Sequence, residues 1–147
     1  MLFLRFILLP VLLVANAALV SDQRFDGSWD TTLTCPAKGN TEGYTWHFVS
    51  LIRSGVLHGE RGVVDQPAWF ALDGTVAEDG GAKLTGSGIV ASREYARGVS
   101  AHKGESYSYE IKAHFEATKG AGTRSTGLGI VGRPCTFDFV KQDSGSH

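Results

Sequence analysis

Asp26-Gly27-Ser28-Trp29-Asp30-Thr31-Thr32-Leu33-Thr34-Cys35 is the stretch around which the chain is organised. Trp29, Thr31, Leu33 and Cys35 alternate with Ser28, Asp30, Thr32 and Thr34. That period of two predicts a strand with one inward face. The run ends on one of only two cysteines. The other, Cys135, lies in the last strand-like run, Pro134–Lys141, which places Cys135, Phe137 and Phe139 on one face. The two ends of the fold are therefore expected to be tied together by a Cys35–Cys135 disulfide.

Upstream, Met1–Arg5 is short and basic, Phe6–Val14 is a continuous apolar run, and Ala15-Asn16-Ala17 offers small residues for signal peptidase. This pattern predicts a signal peptide over 1–17 and a single domain over 18–147. The apolar run is shorter than the ~20 residues of a membrane-spanning helix. Export to the periplasm or the exterior is the expected destination, where an even pair of cysteines forms a disulfide. Lys and Arg total 14 against 15 Asp and Glu; loss of Arg5 with the leader leaves 13 against 15, a net charge of −2. The charges are scattered, which argues against a nucleic-acid or anionic-membrane partner.

Seven further strands follow the first. The second is expected over Tyr44–Arg53, with apolar residues on both faces and thus cover on both sides. Ser54-Gly55 turns into a third, Val56–Gly62. Pro67 interrupts the next loop, since it cannot sit in a central strand. A fourth strand over Ala68–Val76 and a fifth over Ala82–Ala91 flank the turn Glu78-Asp79-Gly80-Gly81. Ser92–Gly104 has no clear period and reads as a long loop or short helix. The sixth strand alternates Tyr107, Tyr109, Ile111, Ala113, Phe115 and Ala117 with Ser108, Glu110, Lys112, His114, Glu116 and Thr118. Lys119-Gly120-Ala121-Gly122 is expected to turn the chain. A seventh strand then starts at Thr123–Thr126 and leads into the glycine-interrupted Gly127–Gly132.

About eight strands, joined mostly by short turns and without an amphipathic helix, predict an all-β antiparallel meander. A bond between its first and last strands fits a sheet closed into an up-and-down β-barrel. A β-sandwich is the alternative.

At Gly27-Ser28-Trp29 the chain resembles the calycin barrels, the lipocalin and avidin-like families. Those open their first strand with Gly-x-Trp, and the Trp plugs one end of the barrel. The resemblance implies an Arg near the last strand packed over that Trp, a position only Arg133 is placed to fill. The lipocalin Thr-Asp-Tyr type motif is absent between the sixth and seventh strands. The same opening, with a cysteine on an early strand, is also similar to small exported barrels that inhibit bacterial proteases or lysozyme. If Cys35 pairs with Cys135 on antiparallel strands, Arg133 falls opposite residue 37, roughly 26 Å along the strand from Trp29. The disulfide is expected to prevail over the Arg–Trp pair.

No catalytic constellation stands out. His47, His58, His102, His114 and His147 fall at no compact metal spacing. His58-Gly59-Glu60 puts an imidazole and a carboxylate on one strand face, a pattern that most often makes a solvated surface pair. Gly86-Ser87-Gly88 lies inside a strand and lacks the strand-to-helix turn of a nucleophile. The expected function is non-enzymatic binding, without metal or cofactor. A small, largely apolar ligand would sit against Trp46, Tyr107 and Tyr109, near the space left by Gly86 and Gly88. The alternatives are an envelope structural protein and a protein-binding module such as an inhibitor of a secreted hydrolase. That module would act through Trp69, Arg93, Tyr95 and Arg97.

Overall fold

The structure is a computed structural model and describes residues 24–95, 102–125 and 133–145. The expected leader over 1–17, Arg97 and the glycine-interrupted Gly127–Gly132 lie outside these residues. Eight strands run β1 Gly27–Cys35, β2 Tyr44–Arg53, β3 Val56–Arg61, β4 Phe70–Val76, β5 Gly81–Ile89, β6 Ser106–Phe115, β7 Lys119–Arg124 and β8 Thr136–Lys141. Each pairs antiparallel with the next, and β1 closes against β8, giving a closed up-and-down barrel. The sandwich alternative is therefore set aside. Closure removes free edges and leaves one inside and one outside to every strand.

The alternation read in the sequence is the alternation of the wall. On β1, Trp29, Thr31, Leu33 and Cys35 are buried while Asp30 is exposed. On β2 the inward residues are Tyr44, Trp46, Phe48, Ser50 and Ile52. Its outward residues Thr45, His47 and Val49 are exposed, so the expected cover on both sides is corrected. A closed barrel is one layer thick and has nothing to lay on its outer face.

Strand boundaries also move: β3 ends at Arg61 rather than Gly62, β5 at Ile89 rather than Ala91, and β8 begins at Thr136 rather than Pro134. β4 begins at Phe70, because Ala68 adopts φ 71° and Trp69 closes a loop turn by donating its N–H to Gln66 O. β6 ends at Phe115, and the chain turns at Ala117-Thr118, where the N–H of Glu116 bonds the carbonyl of Lys119 at 2.7 Å. Lys119-Gly120-Ala121-Gly122, expected as the turn, instead forms most of β7. Its glycines pack beneath neighbours rather than bend the chain: a Cβ on Gly120 would meet the Phe115 ring at 2.9 Å, and one on Gly122 would meet Ala113 Cβ at the same distance.

The ends of the barrel differ. At one end the connections are short turns at 54–55, 77–80 and 116–118. There Phe25, Trp29, Phe115 and Phe139 are buried and packed ring to ring, Trp29 meeting Phe115 edge-on at 5.1 Å. The Trp29 indole N–H donates to the carbonyl of Phe25 at 2.9 Å. Mid-barrel, Leu33, Ile52, Leu57, Leu72, Ile111 and Phe137 are fully buried, and the Thr31 and Ser50 hydroxyls satisfy each other at 2.8 Å. At the other end the connections are long: 36–43, 62–69, 90–105 and 125–135. This is the mouth.

Cys35 and Cys135 form the expected disulfide, joining the mouth end of β1 to the residue before β8. The Arg–Trp pair implied by the calycin resemblance is corrected. Arg133 sits at the mouth, its guanidinium 5.0 Å from the centroid of Tyr44. Lys141 holds the place above Trp29, with Nζ 5.7 Å from the ring and bonded to the Arg24 carbonyl at 3.2 Å. The β1–β8 register decides this, since Trp29 pairs with Lys141.

Candidate functional site

Residues on β2, β3, β4, β6 and β7 converge inside the mouth. Tyr44 and Trp46 open β2, and their rings lie 4.5 Å apart. Trp46 continues to Phe70 at 5.8 Å, Phe70 to Tyr109 at 6.3 Å, and Tyr109 to Tyr107 at 6.0 Å with the two rings nearly parallel. Tyr44, Trp46 and Tyr107 are only partly buried, in contrast to the sealed rings at the opposite end. Gly86 and Gly88 are the small positions that let these rings enter. A Cβ on Gly86 would lie 2.9 Å from Phe70 and 3.1 Å from Tyr109, and one on Gly88 2.5 Å from the Tyr107 hydroxyl. The space those glycines leave is thus filled by aromatic rings of the wall.

Three guanidiniums stand among the rings. Arg61 lies over Trp46 at 4.2 Å, Arg124 over Tyr109 at 4.3 Å, and Arg133 over Tyr44. Each is held by the ring quadrupole facing it. Arg133 clamps the rim: its guanidinium donates to the carbonyls of Glu42 and Tyr95. The Glu42 N–H bonds the Glu94 carbonyl at 2.8 Å, and Tyr95 sets its ring edge-on to Tyr44 at 6.1 Å. These contacts draw the short 3₁₀ turn Arg93–Tyr95 over the mouth. Arg61 donates to the Ala68 carbonyl at 3.1 Å and steadies the 62–69 loop.

The site is electropositive and partly dry. Burial pushes the Tyr44, Tyr107 and Tyr109 hydroxyls above the ordinary phenol range, although Arg61, Arg124 and Arg133 pull the other way on Tyr44 and Tyr107. All three stay protonated donors at any physiological pH. The Tyr109 oxygen is buried and has no hydrogen-bond partner among the described residues.

The other sequence-derived residues lie elsewhere. Trp69 is half-buried, its indole N–H donating to Glu60 at 2.6 Å. Arg93 and Tyr95 are exposed on the rim turn. His58 is on the outer wall, with Nδ1 2.6 Å from Asp73 and Nε2 3.5 Å from Glu60. The hydrogen bond to Asp73 is the main cause that raises the His58 pKa, against a smaller opposing cost of burial. Because the folded pKa lies above the unfolded one, this stabilisation is fully present below about pH 6.5 and fades as pH rises through the folded value. His58→Gln is therefore expected to cost stability in thermal melts near pH 5 and almost none near pH 9. The cost stays below about 1 kcal/mol because the pair is solvent-screened. An equal cost at both pH values would show that the imidazole acts by packing alone.

Arg61 and Arg124 went unrecognised as site residues in the sequence reading. Strand parity carries the signal: Leu57, Gly59, Arg61 and Gly120, Gly122, Arg124 each step inward by two. Among the described residues no group of His, Cys, Asp and Glu side chains is arranged to hold a metal ion, and no helix is long and apolar enough to cross a membrane. Fold and site define a closed eight-stranded antiparallel barrel, plugged at one end and aromatic at the other, compatible with a calycin-like architecture. Comparison of the chain with protein-family models, with curated proteins and with solved structures returns no match.

Proposed function

We propose that this chain is an exported, non-enzymatic binding protein that takes a small, largely apolar ligand at the barrel mouth. The observation that carries this reading is the partly buried set of rings Tyr44, Trp46 and Tyr107 at the end whose loops are long. Aromatic rings left partly open inside a concave rim are the usual lining of small-molecule sites. Export is supported by the leader pattern and by the disulfide. A binding rather than catalytic role is supported by the residue types gathered here, aromatic rings and guanidiniums.

Native mass spectrometry of the oxidised protein taken from its own cell envelope tests the reading. The expected result is a co-purifying small mass that is lost in Trp46→Ala. A bare monomer would overturn it and leave a protein partner as the better account. One observation favours that second reading. The 62–69 rim loop presents Val63 and Val64 at 69% and 54% exposure, held by bonds from Gln66 N to Val63 O and from Ala68 N to Ile89 O. A rigid loop with an apolar tip suits insertion into a partner's cleft, as in an inhibitor of a secreted hydrolase.

A further inference from the structure

We infer that the mouth selects ligands bearing an oxyanion head group, which Arg61, Arg124 and the Tyr109 hydroxyl receive while the apolar body lies against Trp46 and Tyr107. This rests on the binding reading above and adds the chemistry of the ligand.

Three observations converge on it. First, positive charge is concentrated where negative charge is excluded. Arg61 and Arg124 point inward from β3 and β7, whereas every Asp and Glu on a described strand (Asp30, Glu60, Asp73, Glu110, Asp138) is exposed on the outer wall. The carboxylates of the rim loops, Glu42, Asp65, Glu94 and Glu105, are exposed as well.

Second, the two guanidiniums are held by ring faces, which leaves their edges available. The Arg124 guanidinium stacks on Tyr109 and makes no side-chain hydrogen bond or ion pair to a described residue, and Arg61 uses one Nη on the Ala68 carbonyl. A guanidinium has five N–H donors in a planar fork that matches an oxyanion. Held on low-dielectric aromatic walls, such cations focus their field into the concavity.

Third, a donor is waiting. The Tyr109 hydroxyl is buried without a hydrogen-bond partner among the described residues, on a residue only 9% exposed whose ring centroid lies 4.3 Å from the Arg124 guanidinium. A buried hydroxyl with nothing to bond destabilises the ligand-free protein, and a bound acceptor oxygen removes that cost.

Two fluorescent probes of the same shape separate the claims. Anilinonaphthalene sulfonate carries an oxyanion; phenylnaphthylamine is its neutral counterpart. Titrated into the oxidised protein, the sulfonate is expected to bind about tenfold or more tighter than the amine. Arg124→Gln should remove most of that preference by weakening sulfonate binding far more than amine binding. Tyr109→Phe should shrink the preference several-fold while leaving the melting temperature unchanged or raised. It keeps the ring under Arg124, so it remains informative if the arginine variant folds poorly. Equal binding of both probes, or a preference that survives both substitutions, overturns the oxyanion inference and leaves the binding reading standing. Failure of both probes to bind at micromolar concentration overturns both readings.

Discussion

Cys35→Ala with Cys135→Ala is expected to lower the unfolding free energy by about 4–5 kcal/mol, the chain-entropy value for a loop near 100 residues. The bond spans a sequence separation of 100 and encloses nearly the whole barrel. In the unfolded chain it removes most of the conformations that keep β1 and β8 apart. In the folded chain those strands are already paired from Trp29 to Thr34 and from Thr136 to Lys141, so the link adds little native constraint. Equilibrium urea unfolding of oxidised wild type and the double variant measures the difference. The urea dependence should also steepen in the variant, because its unfolded state is more expanded. A difference under about 1 kcal/mol would mean that native strain cancels the entropic gain. For a domain of about 130 residues, a loss of the expected size takes a large share of a typical stability of 5–15 kcal/mol.

Trp29→Ala should cost about 3–5 kcal/mol, the range for removing a large buried aromatic. The ring has no exposed surface, meets Phe115 edge-on, lies under Lys141 Nζ and bonds the Phe25 carbonyl. Its loss opens a void at the end of the barrel where the short turns leave little freedom to collapse. The same urea experiment reads the effect, and a loss below about 1 kcal/mol would show that the end can repack. Because Trp29 is at the plugged end, probe binding at the mouth should survive wherever the variant is folded. Coupled loss of binding would mean that the two ends are not independent.

Much of the architecture was legible before any coordinates. The alternation through β1 and β6 is local, set by neighbours two residues apart, and both strands begin within one residue of their expected starts. β7 was misread for an equally physical reason. Glycine is the usual turn residue, but it also serves where a neighbouring side chain must lie close to the backbone. Which use applies at Gly120 and Gly122 depends on Phe115 and Ala113 across the sheet, information that a local window does not contain.

The candidate site was half legible. Trp46, Tyr107 and Tyr109 follow from strand parity, and the structure gathers them at one end of the barrel. The guanidiniums needed the fold. Arg61, Arg124 and Arg133 are separated by as much as half the chain, and only closure of β1 on β8 brings their strands around one lumen. The same closure decided the fate of the calycin signature, because register set Lys141 rather than Arg133 above Trp29. By itself the sequence determined the strands other than β7, their inward faces and the disulfide, since these follow from period-two patterning and from a single cysteine pair. Only the tertiary structure decided which end holds the sealed rings of Trp29 and Phe115, and which gathers the partly buried rings with Arg61, Arg124 and Arg133. Those properties depend on the stagger of strands around a closed sheet, where residues distant in the chain become neighbours.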